Sequence, residues 1–230
     1  MSATIVFDLD GTLIDSLADL SQAVNRMLSD VGEQPLPQQT IQRFVGNGLP
    51  KLVQRTMDHC GLPQGRHSEL TRLTLDHYNA AHCEHTTTYP GVPEALAELR
   101  RMGSVLGICT NKPEEPARHV LKALNLSGFF DAVLGGDTLT TRKPDPAHLH
   151  ASFDALPDAG PRLFVGDSEV DAETAHRAGI PFLLFTEGYR KSPVADLPHK
   201  ISYSDSAKLP DCVRQVIGTA SEVSPKLAGN

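Results

Sequence analysis

Apolar and polar positions alternate along the chain in two distinct ways. Short apolar runs recur at 5–7, 104–109, 131–134, 162–165, 181–185 and 200–203. Runs that are apolar along most of their length read as strands covered on both faces. Segments with apolar residues three and four apart lie between and after them, at about 93–102, 114–124, 145–155, 170–178 and 207–217. These predict helices. Strand and helix in alternation imply an α/β fold, a doubly wound parallel sheet of the Rossmann-like kind.

The stretch 16–85 departs from this alternation. Ser16 and Asp19 have capping-box spacing, and Leu17, Leu20, Val24, Met27, Leu28 and Val31 follow at helical spacing up to Gly32. A short helical stretch with Ile41, Phe44 and Val45 leads into the turn Gly46-Asn47-Gly48. Leu49, Leu52, Val53, Thr56, Met57 and Cys60 draw a second stripe that Gly61 ends, and a third runs from Ser68 to about Ala81 with Leu70, Leu73, His77 and Tyr78 on one face. A block of helices this long is no ordinary crossover. It predicts a helical cap at 16–85 inserted into a core made of 1–15 and 86–218, with 219–230 as a flexible polar tail. The linkers near 14–16 and 86–90 are candidate hinges.

With 230 residues the chain can bury one large core plus a small inserted domain. A formal charge of −7 and a pI near 5.8 disfavour nucleic acid and anionic membranes as partners. An anionic substrate then needs local positive charge or metal. Cys60, Cys83, Cys109 and Cys212 show no paired spacing, which predicts reduced thiols and a cytoplasmic protein. No apolar run reaches transmembrane length, and monomer and homodimer both stay open.

Candidate chemistry begins where the first strand ends. Asp8 and Asp10 are one residue apart after the apolar run Ile5 to Phe7, and in an extended chain they project to the same side. Two carboxylates there are costly unless a ligand uses them, and hard oxygen donors suit Mg²⁺. Gly11 allows a tight turn, and Thr12 can tie it through its hydroxyl. The segment Asp8-Leu9-Asp10-Gly11-Thr12-Leu13 resembles the nucleophile loop of the haloacid dehalogenase superfamily of phosphatases.

In open parallel sheets ligands sit at the carboxyl ends of the strands. Those ends offer Thr110-Asn111-Lys112 after 104–109, Lys143-Pro144 beyond 131–134, and Gly166-Asp167-Ser168 with Asp171 after 162–165. Phosphate-ester hydrolysis needs a nucleophile, a proton donor for the leaving oxygen and charge neutralisation. Asp8 suits the nucleophile, forming an aspartyl-phosphate, and Asp10 the acid and later base. The Thr110 hydroxyl, the Asn111 backbone N–H and the Lys143 ammonium suit the phosphoryl oxygens. Asp8, Asp167 and the Asp10 backbone carbonyl are the Mg²⁺ candidates, with Asp171 supporting.

The resemblance to the superfamily runs through four motifs and nearly the whole chain. Asp8 and Asp10 match the first, Thr110 the second, Lys143 the third, and Asp167 with Asp171 the fourth. Dehalogenases of the superfamily lack the second acid, so Asp10 implies a phosphatase. The phosphonate-cleaving branch also replaces it, so Lys51 is not expected to form a Schiff base. Within the superfamily, Phe44-Val45-Gly46-Asn47-Gly48, Thr110-Asn111-Lys112 and Gly166-Asp167-Ser168 resemble bacterial phosphoglycolate phosphatases. That implies Mg²⁺-dependent hydrolysis of a small phosphorylated metabolite, 2-phosphoglycolate above others. A sugar phosphomutase of the β-phosphoglucomutase kind and a non-catalytic phosphate-binding protein remain alternatives. Gly46, Asn47 and Gly48 stand at a break between helices, where free N–H groups and a helix start suit a small carboxylate. Lys51, Arg43 and Lys112 are the next candidates for that role. Lys51 replaces the third glycine of a dinucleotide loop, and no strand precedes the turn, so no such loop is expected. His148 and His150 show no ligand spacing and are expected to be exposed.

Overall fold

The strand β1 (Thr4–Phe7) is flanked by β4 (Val105–Cys109) and β6 (Arg162–Gly166). The structure, a computed structural model, describes residues 2–81 and 83–222. Outside β4 lies β5 (Ala132–Leu134); outside β6 lie β7 (Phe182–Phe185) and β8 (Ile201–Tyr203). The six strands run parallel in the order β5-β4-β1-β6-β7-β8. β1 is therefore where the chain's outward progression changes direction, the point at which such sheets open a crevice at their carboxyl edge.

β1 is buried on both faces, and its side chains divide between two layers. Ile5 and Phe7 pack with α5 (Val92–Arg101), α6 (Glu114–Ala123) and α9 (Leu209–Glu222). Val6 packs with α7 (Pro146–Asp154) and α8 (Glu169–Ala178). Each expected strand forms within one residue of its expected limits. The last helix runs on to Glu222, so the tail expected from 219 is helical over its first four residues. The rest of that tail, 223–230, lies outside the described residues.

Residues 16–85 contain α1 (Leu17–Asp30), α2 (Gln38–Gln42), α3 (Leu49–Cys60) and α4 (His67–Ala80). They bury a separate apolar cluster, with Val24, Met27 and Leu28 meeting Ile41, Leu52, Val53, Met57 and Leu70. Burial of each such side chain contributes about 1.5–3 kcal/mol. Among the described residues no helix is long and apolar enough to cross a membrane.

Two local features differ from the sequence reading. Ser16 is the residue before α1, but its side chain makes no cap bond; its hydroxyl donates to Asp10 Oδ1. The Asp19 carboxylate instead accepts from the His85 amide at 3.1 Å, the Thr86 amide at 2.9 Å and the Thr86 hydroxyl at 2.6 Å. Three donors arriving from the return linker hold that carboxylate away from the helix start. The second difference is that the two linkers pair: β2 (Ile14–Asp15) and β3 (Thr87–Thr88) form an antiparallel ribbon. Two-residue strands leave no readable alternation in a sequence.

Candidate active site

The Asp8 amide still belongs to the sheet, donating to Val165 O at 2.9 Å, while the next residue starts the turn. The amides of Thr12, Leu13 and Ile14 all donate to Leu9 O. Gly11 has φ +91°, and a Cβ there would stand 2.6 Å from Asp167 Oδ2. Only glycine permits that backbone and that approach. The Thr12 hydroxyl then donates to Asp167 Oδ1 at 2.7 Å, locking the first strand end to the β6 end.

Behind them stands Asp171 in the first turn of α8. Ser168 and Asp171 form a capping box, with Asp171 Oδ2 accepting from the Ser168 amide at 3.1 Å and hydroxyl at 2.6 Å. This leaves Asp171 Oδ1 for the Lys143 ammonium at 2.7 Å. The same ammonium lies 2.8 Å from Asp8 Oδ1. Burial works against the Lys143 charge, but Asp171 and Asp8 outweigh it and raise its pKa.

The carboxylates are less well compensated. Burial lifts Asp8 to about 7, against the pull of Lys143 and with Asp171 adding to the rise. Burial, and then Asp171 and Asp8, push Asp167 well above the usual carboxylate range. Ligand oxygens of Asp8, Asp167 and Asp171 lie within 4.8 Å of one another. Three carboxylates facing one ammonium form an oxygen-rich, electron-rich pocket that fits a small divalent cation. The Asp10 carboxylate is not part of this cluster; its Oδ1 accepts from the Ser16 hydroxyl and the Lys112 ammonium.

Thr110 and Asn111 follow β4 as expected and are buried. The Thr110 hydroxyl accepts from the Lys112 amide at 3.2 Å, and Asn111 Nδ2 donates to Lys143 O at 3.0 Å. The second strand end is thereby braced on the third. Lys112 turns inward. Its ammonium donates to Asp10 Oδ1 at 2.9 Å, Asp10 Oδ2 at 3.2 Å and the Tyr78 hydroxyl at 2.7 Å. It also lies 4.5 Å from the Tyr78 ring centroid, within cation–π range. Burial opposes the Lys112 charge, but Asp10 and Tyr78 raise its pKa. One side chain thus ties the second acid to α4 of the helical block.

A cavity opens between the two layers, lined by Asp8, Asp10, Thr110 and Lys112 below and by Gly46, Gly48, Leu49, Leu52, Leu75 and Tyr78 above. Gly46 and Gly48 are where the sequence placed them. Asn47 does not line this cavity; its side chain accepts from Arg55 Nη2 at 2.7 Å. Lys51 and Arg43 are exposed and away from its lining, whereas Lys112 is in it. His148 corrects the reading most sharply. It is fully buried on α7, where burial and then Lys143 push its pKa down to about 4. Two residues apart on a helix, His148 and His150 face different ways, and only His150 is exposed.

Tyr189 was missed. Its amide donates to Asp167 Oδ2 at 2.6 Å, its hydroxyl donates to Asp15 Oδ1 at 2.8 Å, and the Ser16 amide donates to that hydroxyl at 2.8 Å. It joins Asp167 to the linker at Asp15 and Ser16, the bond to Asp15 spanning 174 residues, which no local pattern could signal.

Residues 5–185 match the family described as haloacid dehalogenase-like hydrolase. The chain is 46% identical to a phosphoglycolate phosphatase of Cereibacter sphaeroides over 93% of its own length and 98% of that protein. It is 41% identical to the phosphoglycolate phosphatase of Rhodobacter capsulatus, over 93% of its length and 97% of the relative. A crystal structure of a predicted phosphoglycolate phosphatase from Haemophilus somnus superposes with a TM-score of 0.84 at 30% identity, covering 92% of this chain and 98% of that one.

Proposed function

The chain belongs to the haloacid dehalogenase-like hydrolase family and is a phosphatase, and from that premise we propose that it hydrolyses 2-phosphoglycolate to glycolate and phosphate. The observation that carries this reading is the convergence of Asp8, Asp167, Asp171 and Lys143 at the carboxyl edge of the central strand, under a cavity that also holds Asp10 and Thr110.

Asp8 attacks phosphorus, and the bond to the leaving oxygen breaks as the aspartyl-phosphate forms. Asp10, held by Ser16 and Lys112 in the lining of the same cavity, gives a proton to the leaving alkoxide. It then takes a proton from the water that attacks the aspartyl-phosphate, which regenerates Asp8 and frees phosphate. Thr110 and the Asn111 amide hold phosphoryl oxygens, and Lys143 opposes their charge. Asp8 and Asp167, with the Asp10 carbonyl, would hold Mg²⁺; Asp171 stands in the same cluster, and the Thr12 hydroxyl fixes Asp167. Such an ion, when bound, would supply charge neutralisation for the phosphoryl group.

The helical block acts as the cap. Its share of the cavity is apolar apart from Tyr78 and the backbone of Gly46 and Gly48, so it offers few partners to the hydroxyls of a hexose. This disfavours the phosphomutase alternative. A two-carbon acid fits better, with its carboxylate on the N–H groups of the turn at 46–48 and Lys112 nearby. Four free cysteines suit a reducing, cytoplasmic setting. The test is phosphate release from a panel of small phosphate esters. A rate on 2-phosphoglycolate far above that on hexose phosphates supports the reading, and isomerised sugar phosphate in place of free phosphate overturns it.

A further inference from the structure

The turn between α2 and α3 has an unusual division of its backbone groups. Three of its acceptors, two carbonyls and one side-chain oxygen, are held by cations. Phe44 O accepts from Arg55 Nη1 at 2.7 Å, Asn47 Oδ1 from Arg55 Nη2 at 2.7 Å, and Val45 O from the Lys191 ammonium at 2.9 Å. The donors are left over. Among the described residues nothing accepts from the amides of Gly46, Asn47, Gly48 or Leu49. Gly46 and Gly48 line the cavity above Asp8 and Asp10. Gly46, at φ +125°, and Gly48, at φ +82°, hold backbone conformations that other residues rarely adopt.

The two cations come from different parts of the chain. Arg55 is on α3, within the cap. Lys191 belongs to the loop after β7, in the core, where Glu169 Oε1 accepts from the amides of Lys191 and Ser192. That loop also carries Tyr189, whose amide donates to Asp167. Partial burial, and then the nearby Arg55 guanidinium, lower the Lys191 pKa, consistent with both cations converging on one turn.

We infer that Arg55 and Lys191 are positioning residues for substrate selection: they tie acceptors of Phe44, Val45 and Asn47 so that the free amides of Gly46, Gly48 and Leu49 stay at the cavity, and Lys191 does so only while the cap is docked on the core. Neither touches the reacting atoms. The inference rests on reading this turn as the part that takes the substrate carboxylate. A charged donor on a carbonyl is a strong hydrogen bond, and its loss lowers the share of molecules with the turn in place.

The experiment compares wild type, Lys191→Met, Lys191→Arg and Arg55→Lys in two readouts. One is KM and kcat on 2-phosphoglycolate and on p-nitrophenyl phosphate, which has no carboxylate. The other is hydrogen exchange of the amides in 43–52. Lys191→Met is expected to raise KM for 2-phosphoglycolate about tenfold with kcat nearly unchanged, to shift p-nitrophenyl phosphate less than about threefold, and to speed exchange at the turn about tenfold. Lys191→Arg should restore both. Arg55→Lys keeps the charge but cannot span both acceptors, and should shift both readouts in the same direction as Lys191→Met. Unchanged KM and unchanged exchange in Lys191→Met overturn the inference while leaving the carboxylate reading intact. If wild type shows no preference for 2-phosphoglycolate, that reading falls, and exchange alone decides: faster exchange supports the Lys191 clasp, and unchanged exchange overturns it.

Discussion

Asp8 is a carboxylate that the fold keeps in an expensive place, and its environment gives the residue-scale predictions. Replacement by Asn preserves shape but removes the anionic nucleophile, so phosphate release should drop to background while the circular dichroism spectrum stays that of wild type. Asp10→Asn removes proton transfer, worth about 10²–10⁴-fold, with the smallest loss on p-nitrophenyl phosphate because its leaving group needs little help. Ser16→Ala separates two roles for one hydroxyl. A helix cap would cost about 1 kcal/mol of stability and no rate. The hydroxyl bonded to Asp10 predicts instead a kcat loss of about fivefold, one ordinary hydrogen bond's worth, with little change in Tm. A pH effect follows from Asp8 as well. Its folded pKa of about 7 is above the ordinary value of 3.8, so between these values the folded state binds more protons than the unfolded state. By linkage this group's contribution makes the metal-free protein less stable as pH rises through that window. Mg²⁺ should therefore raise Tm more at pH 7.5 than at pH 5, and at a hundred times its dissociation constant it should contribute about 2.7 kcal/mol. Equal shifts at both pH values in calorimetry would place the ion elsewhere.

At the scale of elements, the helices and the six strands of the sheet were legible because each satisfies its own periodicity, and the two-faced burial of β1 matches its apolar run. What could not be read was how distant segments close on one another. The β2–β3 ribbon is too short to show a period, Ser16 and Asp19 look like a capping box in one dimension only, and their true partners lie at Asp10 and at 85–86. Asp19 is buried with three donors from the return linker, so Asp19→Ala leaves the His85 and Thr86 groups unpaired. A stability loss of about 2–4 kcal/mol is expected, read as a lower urea midpoint. A loss under about 0.5 kcal/mol would mean that the linker does not depend on this carboxylate.

For the whole molecule, the placement of the site was legible to the extent that topology dictates it. Asp8, Thr110 and Asp167 each follow a strand, and three adjacent parallel strands must deliver them to one edge. Lys143 follows no strand directly and is read only from its resemblance to the third motif, whereas Asp171 is read from its place one helical turn after Asp167; the structure brings both against Asp8. Lys112, Tyr78, Tyr189 and Lys191 make contacts between core and cap, and Arg55 bonds within the cap to residues eight and eleven positions away, so none of these contacts shows in a local pattern. His148 is buried within the core on α7, beside Lys143, where a sequence shows only one more polar residue on a helix. The central claim is that this edge, with an oxygen-bound divalent ion, transfers phosphate from 2-phosphoglycolate to water by way of Asp8. Its most direct test is phosphate release from 2-phosphoglycolate by wild type and by Asp8→Asn, each with Mg²⁺ and with EDTA. Rapid release by wild type with Mg²⁺, and background in the other three samples, is the predicted result; release that persists in EDTA or in Asp8→Asn contradicts it.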